Sequence, residues 1–266
     1  MSSDFPGAKI MHACAIVRGQ AKKVFIFFVI FSNVVLIRAN FVENRSRMRK
    51  KLAIFDLDGT LLDTVADLAG ATNYSLRTLG FPEHDKEEYR FLVGRGIYNL
   101  FRGALPEGEK SEENVQRMAD LFVPYYNAHM CDMTRPYPGI PQMLSSLSKE
   151  GIALAVASNK YQAGTETLMK IFFPDTNFIA VCGQREGFPI KPDPAIVTGI
   201  MNLVEGITEE EVVYIGDSNV DMQTGKNAGV VTVGVSWGFR SVEELSAYSP
   251  FAIADTPEEL GRIILG

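Results

Sequence analysis

The sequence predicts an α/β protein made of a parallel sheet with an all-helical insert. Two observations predict the sheet: short apolar runs rich in β-branched residues recur along the chain, and helical patterns separate them. Strands that alternate with helices need crossover connections, and such connections give parallel strands. A third observation predicts the insert, because helical patterns alone fill residues 64–135.

The predicted strands are apolar runs bounded by Gly, Asp or Pro. They cover residues 51–55, 152–157, 178–182, 212–216, 230–235 and 251–254, with helical patterns at 139–149 and 194–204. Pro194 suits the first turn of the second helix, because a residue there needs no N–H donor. These elements assign residues 48–63 and 136–266 to the core and residues 64–135 to the insert.

The insert is predicted to contain at least two long helices. Apolar residues from Val65 to Leu79 recur on one helical face, and Gly80 is placed to end that helix. Ser111, followed by two glutamates, predicts the start of a second helix. Because proline lacks an N–H and clashes with the preceding turn, Pro124 is expected to kink or break this second helix.

The segment LAIFDLDGT at residues 52–60 carries the strongest chemical signal. A strand that ends in Asp56 projects one carboxylate from its tip, and a turn at Gly59 folds Asp58 over the same point. Two carboxylates in this position repel each other unless a proton or a cation lies between them. A nucleophile beside a proton donor, with a divalent metal, fits this arrangement, and an ordinary turn is the alternative.

Three later segments support the functional interpretation. Ser158 and Asn159 follow the strand at 152–157, Lys191 precedes a Pro-Asp-Pro segment, and Asp217 and Asp221 follow the strand at 212–216. Each segment by itself is also typical of a turn, a helix cap or a surface lysine. As a set, in this order along the chain, they are highly specific.

Together the four segments resemble the motifs of the haloacid dehalogenase-like hydrolase superfamily, over residues 51 to about 262. The resemblance implies a doubly wound α/β core of Rossmann type, with its site at the carboxyl ends of the parallel strands, where such sheets bind ligands. It also implies that the helical insert is a mobile cap over that site. The interval between Ser158 and Lys191 is too short to hold a cap at the alternative position.

The resemblance also implies phosphoryl transfer and a role for each motif residue. Asp56 is expected to be the nucleophile that forms an aspartyl phosphate, and Asp58 the general acid and base. Mg²⁺ is expected to bind Asp56, the backbone carbonyl of Asp58 and Asp217, since it prefers hard oxygen ligands. Lys191 is expected to neutralise developing charge, and Asp221 to orient the metal site or Lys191 from behind. The expected hydrogen-bond donors to the phosphoryl oxygens are Thr60, Ser158 and the Asn159 backbone.

Single residues separate the alternatives within the superfamily. Dehalogenases lack the second aspartate, so Asp58 argues against that activity. Sugar phosphate mutases of the β-phosphoglucomutase type share the cap and both aspartates, but their last motif begins Glu-Asp where this chain has Gly216 and Asp217. A pyrophosphatase and a broad-specificity phosphatase remain open alternatives.

The cap is expected to select the substrate. Residues 92–97 and 238–245 resemble segments of phosphoglycolate phosphatases, and Arg95 lies between two glycines in the first of them. Arg95 is the expected contact for a small carboxylate, and a solvent-exposed turn is the alternative. The resulting prediction is a Mg²⁺-dependent phosphomonoesterase for a small phosphorylated metabolite, with 2-phosphoglycolate as the first candidate.

Charge and cysteine content limit the partners. Residues 1–50 carry nine Lys/Arg and two Asp/Glu, whereas residues 51–266 carry 17 and 30. An acidic body argues against a nucleic-acid partner. Cys14, Cys131 and Cys182 are odd in number and widely spaced, which favours a reducing cytoplasm over a disulfide framework or a zinc site. Either a monomer or a homodimer is compatible with the sequence.

The N-terminal extension, residues 1–47, allows three interpretations. Two lysines precede an apolar run at residues 24–37, which Arg38 closes. This run is shorter than the roughly 20 residues of a membrane span, and no good cleavage site follows it. Translation from Met48, a signal or anchor, and a soluble extension all stay open; a membrane is expected as a partner only if residues 22–38 are a real anchor.

Overall fold

The computed structural model describes residues 49–266, so the predictions for the N-terminal extension lie outside the described residues. The strands are β1 Leu52–Phe55, β2 Leu62–Asp63, β3 Arg135–Pro136, β4 Ala153–Tyr161, β5 Phe178–Gln184, β6 Val212–Gly216, β7 Val231–Val235 and β8 Ala252–Ala254. The α-helices are α1 Val65–Leu79, α2 Tyr89–Leu92, α3 Ile97–Ala104, α4 Glu112–His129, α5 Ile140–Lys149, α6 Gln162–Phe172, α7 Ala195–Met201, α8 Asn219–Asn227, α9 Val242–Ser246 and α10 Pro257–Leu265. Short 3₁₀ turns occupy Lys86–Glu88 and Glu209–Glu211.

The core is a six-stranded sheet in the order β5-β4-β1-β6-β7-β8, and every neighbouring pair is parallel. Strand β1 lies near the centre, with Leu52 in register with Ala153 on one side and Val212 on the other. From β1 the chain first extends the sheet through β4 and β5, and later through β6, β7 and β8. The strand order therefore reverses beside β1, where parallel sheets bind ligands.

Residues of β1 alternate between two apolar cores. Ala53 and Phe55 belong to one buried cluster, and Leu52 and Ile54 belong to the other. Because successive strand residues point to opposite faces, helices cover both sides of the sheet. The predicted doubly wound α/β core with an all-helical insert is confirmed.

Most element boundaries agree with the sequence to within a few residues, with two differences. Strand β4 continues to Tyr161 rather than ending at residue 157, because Tyr161 still pairs with Gln184 of β5. Helix α7 ends at Met201 rather than at residue 204. The amides of Leu203 and Val204 bond three residues back, so the helix tightens into turns.

The insert comprises α1 to α4, and its two ends meet in the antiparallel pair of β2 and β3. The buried carboxylate of Asp67 in α1 strengthens this junction. It accepts hydrogen bonds from the amides of Met133 and Thr134 and from the Thr134 hydroxyl, at 2.8–3.1 Å. The beginning and the end of the insert are thus tied together beside the core.

Gly80 and Ser111 bound the two long helices of the insert as predicted, and the break that Pro124 was expected to cause, as the alternative to a kink, does not occur. Gly80 ends α1 with φ 80°, and Ser111 caps α4 by accepting from the Asn114 amide. Pro124 does not break α4, which runs unbroken from Glu112 to His129. The fully buried rings of Phe122 and Tyr126 stack on each other across the proline, so packing outweighs one missing hydrogen bond. Among residues 49–266, no helix is both long enough and apolar enough to span a bilayer.

Candidate active site

The carboxyl ends of β1, β4 and β6 bring together the chemistry-bearing residues of the core. Asp56 follows β1, Ser158 and Asn159 lie in the last part of β4, and Asp217 follows β6. Lys191 reaches the same place from the loop after β5, through a cis peptide bond to the following proline. Most of the residues predicted from separate motifs therefore meet at one edge of the sheet.

Asp56 lies at the centre of this group and is 5% exposed. Its Oδ1 accepts a hydrogen bond from the Leu57 amide at 2.7 Å and pairs with Lys191 Nζ at 2.9 Å. Burial, followed by the negative charge of Asp221, raises the pKa of Asp56 well above its usual range, and Lys191 opposes this rise. The surroundings therefore favour a further cation beside this carboxylate.

Lys191 is the main counter-charge of the group. Its Nζ lies 2.9 Å from Asp56 and 2.8 Å from Asp221, and it also donates to the Ala157 carbonyl at 3.1 Å. Burial by itself would lower the pKa of Lys191, but the carboxylates of Asp221 and Asp56 outweigh burial and hold this pKa well above its usual value. The ammonium is therefore a fixed positive charge beside Asp56.

Asp221 lies behind Lys191 and contacts its ammonium. Its Oδ1 accepts from Lys191 and from the Tyr214 hydroxyl at 3.1 Å. Its Oδ2 accepts from the amide and the hydroxyl of Ser218, and Ser218 and Asp221 together form the capping box at the start of α8. Both oxygens are thus engaged. A Cβ at Gly216 would overlap the Asp221 side chain, so this close packing needs glycine there.

Asp217 is held by groups from two segments. The Thr60 hydroxyl donates to its Oδ1 at 3.3 Å, and the Phe239 amide donates to its Oδ2 at 2.7 Å. A Cβ at either Gly59 or Gly238 would overlap this carboxylate, so both glycines allow the backbone to approach it. Burial and the charge of Asp221 raise the pKa of Asp217 to about 7. In this structure Thr60 therefore contacts a carboxylate rather than an open phosphate position.

The buried carboxylates fit a divalent cation. One oxygen each from Asp56, Asp217 and Asp221 lies within 4.8 Å of the others. Carboxylate oxygens are the ligands that Mg²⁺ prefers, and burial together with the charge of Asp221 raises the pKa of both Asp56 and Asp217, which a bound cation would offset. Asp56 and Asp217 stay the predicted ligands, and Asp221, which is paired with the Lys191 ammonium, lies behind them. The Asp58 carboxylate lies outside this cluster, so its backbone carbonyl stays the predicted ligand.

A cavity lies between the carboxyl ends of the strands and the insert. The core contributes Asp56, Asp58, Ser158, Asn159 and Lys160, and the space is about 390 Å³ including its open mouth. The insert contributes apolar side chains and two backbone positions: Leu68, Val93, Ile97, Leu100, Gly94 and Gly96.

Asn159 connects the core to the insert. Its Oδ1 accepts from the Lys191 amide at 2.9 Å, and its Nδ2 donates to the carbonyls of Lys191 and Gly94. The neighbouring Ser158 is 2% exposed, and its Oγ accepts from the Lys160 amide at 3.2 Å. The side chain of Asn159 therefore aligns the lysine loop and the insert with the strand end.

Lys160 is a site residue that the sequence reasoning missed. Its Nζ lies 3.1 and 3.3 Å from the two oxygens of Asp58, and the two side chains are 2% and 11% exposed. The same ammonium lies over the ring of Tyr126 in α4, 4.6 Å from the centroid. The available signal was a lysine directly after Ser158 and Asn159, at a position that the sequence assigned to a loop.

Arg95 does not join the site in this structure. It is exposed and is absent from the cavity wall, although its neighbours Gly94 and Gly96 line it. Its loop is held by Arg240, whose Nη2 donates to the carbonyls of Phe91 and Val93 at 3.1 Å each. The contact from the insert to the cavity is therefore made by backbone and apolar groups.

The comparisons with known proteins agree with this geometry. The family model described as haloacid dehalogenase-like hydrolase matches residues 53–235. A phosphoglycolate phosphatase from Agrobacterium fabrum is 35% identical over 200 residues, which cover 74% of this chain and 85% of that protein. An N-acetylmuramic acid 6-phosphate phosphatase from Pseudomonas aeruginosa is 32% identical over 216 residues, covering 80% and 94%. A crystal structure from Lactobacillus delbrueckii subsp. bulgaricus, described as a candidate phosphoglycolate phosphatase, superposes with a TM-score of 0.77 at 34% identity, covering 82% of this chain and 100% of that one.

The chain belongs to the haloacid dehalogenase-like hydrolase family. The matched residues include most of β1, the whole helical insert and the strands through β7. Within the family it is a phosphatase, similar to the phosphoglycolate phosphatases.

Proposed function

We propose that this protein hydrolyses small phosphomonoesters through an aspartyl phosphate on Asp56, with Mg²⁺ bound, and that 2-phosphoglycolate is its preferred substrate. The observation that carries the proposal is the position of Asp56. It lies at the tip of β1, at the edge of a cavity, 2.9 Å from a buried lysine and beside a carboxylate cluster that fits a metal.

In the first step an oxygen of Asp56 attacks phosphorus in line with the ester oxygen, and the bond to the leaving alkoxide breaks. Lys191 offsets the charge that develops on the equatorial oxygens, and it stays in place because Asp221 and the Ala157 carbonyl hold it. Ser158 lies beside the same position and donates to a phosphoryl oxygen in the proposed complex. Asp56 and Asp217 would hold Mg²⁺, which would offset the repulsion between the attacking carboxylate and the phosphate.

Asp58 manages the proton in both steps. Once it has left its ion pair with Lys160 and taken a proton from solvent, Asp58 gives that proton to the leaving alkoxide, so the alcohol departs neutral; it then takes a proton from the water that attacks the aspartyl phosphate. That attack releases inorganic phosphate and restores the Asp56 carboxylate. In this structure both oxygens of Asp58 contact Lys160, so Asp58 has to leave this ion pair to reach the ester oxygen.

The substrate assignment has support from the cavity and from the relatives. The relatives are named for esters of phosphate with carboxylated alcohols, and the cavity beside Asp56 is lined by Ser158, Asn159 and Lys160. The tight packing of Gly216 against Asp221 leaves no room for the glutamate with which the mutase motif begins. The free cysteines Cys131 and Cys182 support a reducing cytoplasm as its location.

The test is phosphate release from a panel of phosphomonoesters, with Mg²⁺ and with a chelator. The panel contains 2-phosphoglycolate, sugar phosphates, nucleotides, pyrophosphate and p-nitrophenyl phosphate. We expect Asp56→Asn to retain less than about one thousandth of the wild-type rate, because a carboxamide cannot replace the carboxylate as nucleophile. A larger residual rate would overturn the covalent mechanism, and a flat profile across the panel would overturn the substrate assignment.

A second variant tests the proton role. Asp58→Asn should slow esters of poor leaving groups by about 10²–10⁴-fold, and p-nitrophenyl phosphate much less, because its leaving group needs no proton. Equal losses for both kinds of ester would contradict the assignment of Asp58 as the acid.

A further inference from the structure

Lys160 places a buried cation in the cavity wall, separate from Lys191, which serves the nucleophile. Lys191 contacts Asp56, whereas Lys160 contacts Asp58 through both carboxylate oxygens. Among the residues that line the cavity in the described part of the chain, Lys160 is the only one with a cationic side chain. Lys191 can offset the negative charge of the bound phosphate, so the buried positive charge of Lys160 needs a different explanation.

Lys160 lies beside the position that the alcohol part of the substrate would occupy. In the proposed reaction Asp58 meets the ester oxygen, so a group that contacts Asp58 lies beside the atoms attached to that oxygen. The Lys160 ammonium lies 3.1 Å from Asp58 on one side and over the ring of Tyr126 in α4 on the other. It therefore lies where the core and the insert enclose the leaving group.

Lys160 loses its ion-pair partner when Asp58 moves to contact the ester oxygen. Both oxygens of Asp58 hold the ammonium in this structure, so contact with the substrate means release of Lys160. Lys160 is 2% exposed on its side chain, and a buried cation that loses its anion is strongly disfavoured unless another anion replaces it. A carboxylate one carbon from the ester oxygen would supply that anion, whereas a neutral alcohol would not.

We propose that Lys160 selects phosphate esters whose alcohol carries a carboxylate close to the ester oxygen, by exchanging its ion pair with Asp58 for one with that carboxylate. This inference rests on the proposed phosphatase function and assigns to a core lysine the role that the sequence gave to exposed Arg95 of the insert. The aromatic ring of Tyr126 holds the Lys160 ammonium in its position in the cavity while Lys160 exchanges one carboxylate partner for the other.

The experiment compares two esters that differ in one group, 2-phosphoglycolate and 2-hydroxyethyl phosphate. Wild type should favour the carboxylated ester in kcat/KM by about 100-fold, because a site built for a charged partner rejects the analogue that lacks it. Lys160→Met should reduce this ratio to below about 5, and Lys160→Arg, which restores the charge, should recover part of it. Lys170→Met, on the exposed face of α6, is the matched control and should keep the wild-type ratio.

A binding measurement separates selection from effects on Asp58. 3-Phosphonopropionate and propylphosphonate cannot be hydrolysed, and their inhibition constants against p-nitrophenyl phosphate report affinity alone. Lys160→Met should weaken the carboxylated phosphonate by about tenfold or more and should leave the ratio of the two inhibition constants near one. Equal losses for both phosphonates, or an unchanged ester ratio in Lys160→Met, would overturn the proposal.

Failure of the proposed phosphatase function gives results that differ from failure of the Lys160 role alone. If wild type releases no phosphate from p-nitrophenyl phosphate with Mg²⁺, or if Asp56→Asn retains activity, the phosphatase mechanism itself is wrong. If p-nitrophenyl phosphate is hydrolysed and Asp56→Asn is inactive, but wild type does not discriminate between the two esters, only the role of Lys160 is refuted.

Discussion

Replacement of Lys191 by methionine tests the electrostatic organisation of the site most directly. Methionine keeps the length of the side chain and removes the charge that pairs with Asp56 and Asp221. The three side chains are 1%, 7% and 0% exposed, so water cannot replace the lost partner. Removal of one partner from a buried ion pair costs about 3–5 kcal/mol. We expect the lower end of that range, because Tyr214 and Ser218 still donate to Asp221.

For a domain of this size 1 kcal/mol moves the melting temperature by about 2–4 °C, so Lys191→Met should lower it by about 6–12 °C. Loss of the charge beside the phosphoryl oxygens should also lower kcat by about 10²–10³-fold. Thermal unfolding followed by circular dichroism measures the first effect, and phosphate release measures the second. Lys170→Met controls for the loss of a lysine from the surface and should change neither value by more than experimental error.

A melting temperature within about 2 °C of wild type would refute this reasoning, because a change that small is typical of an exposed residue. It would mean that Asp56 and Asp221 do not depend on Lys191 for charge compensation. A large loss of stability with unchanged kcat would instead separate the structural role of Lys191 from its catalytic role.

Three further predictions use other parts of the molecule. Mg²⁺ at about 100 times its Kd should stabilise wild type by about 2.7 kcal/mol, and Asp217→Asn should lose most of this gain in a thermal shift assay with and without chelator; an equal gain in the variant would exclude Asp217 as a ligand. Arg240→Met removes the bonds to two carbonyls of the insert loop, so amide hydrogen exchange in residues 91–96 should become faster, and unchanged protection would show that Arg240 does not hold this loop. Pro124→Ala should raise the free energy of unfolding by about 1–3 kcal/mol in urea, because an interior proline is unfavourable, and no gain would show that α4 accommodates it without cost.

The strands and the order of the site residues could be predicted from the sequence because each depends on local pattern. Apolar runs define the six parallel strands, and polar residues directly after three of them have to meet at one edge of the sheet. Asp56 and Asp217 are examples: each follows a buried strand, and the topology brings them together. Interactions that depend on packing between distant segments leave no such local pattern in the sequence.

Pro124 and Lys160 show the two ways in which tertiary structure departed from the local expectation. Proline disfavours a helix interior, but Phe122 and Tyr126 are fully buried on either side of it and fix the backbone as one helix. Lys160 follows the polar pair Ser158 and Asn159, which ends an apolar run and predicts a loop. Because β4 continues through them to Tyr161, the lysine becomes a buried strand residue beside Asp58 instead of a surface cation.

The position of Arg95 follows from how the insert loop is attached to the core. The expectation was that glycines at 94 and 96 present amides, and Arg95 a guanidinium, to a substrate carboxylate. In the structure Arg240 and Asn159 bind the carbonyls of Val93 and Gly94, so the core holds the loop through its acceptors and leaves Arg95 exposed. A carboxylate in the cavity therefore meets no cation from this loop. Lys160 is the cation that the fold does place there, which is why selectivity for acidic substrates should follow the core lysine and be insensitive to Arg95→Met.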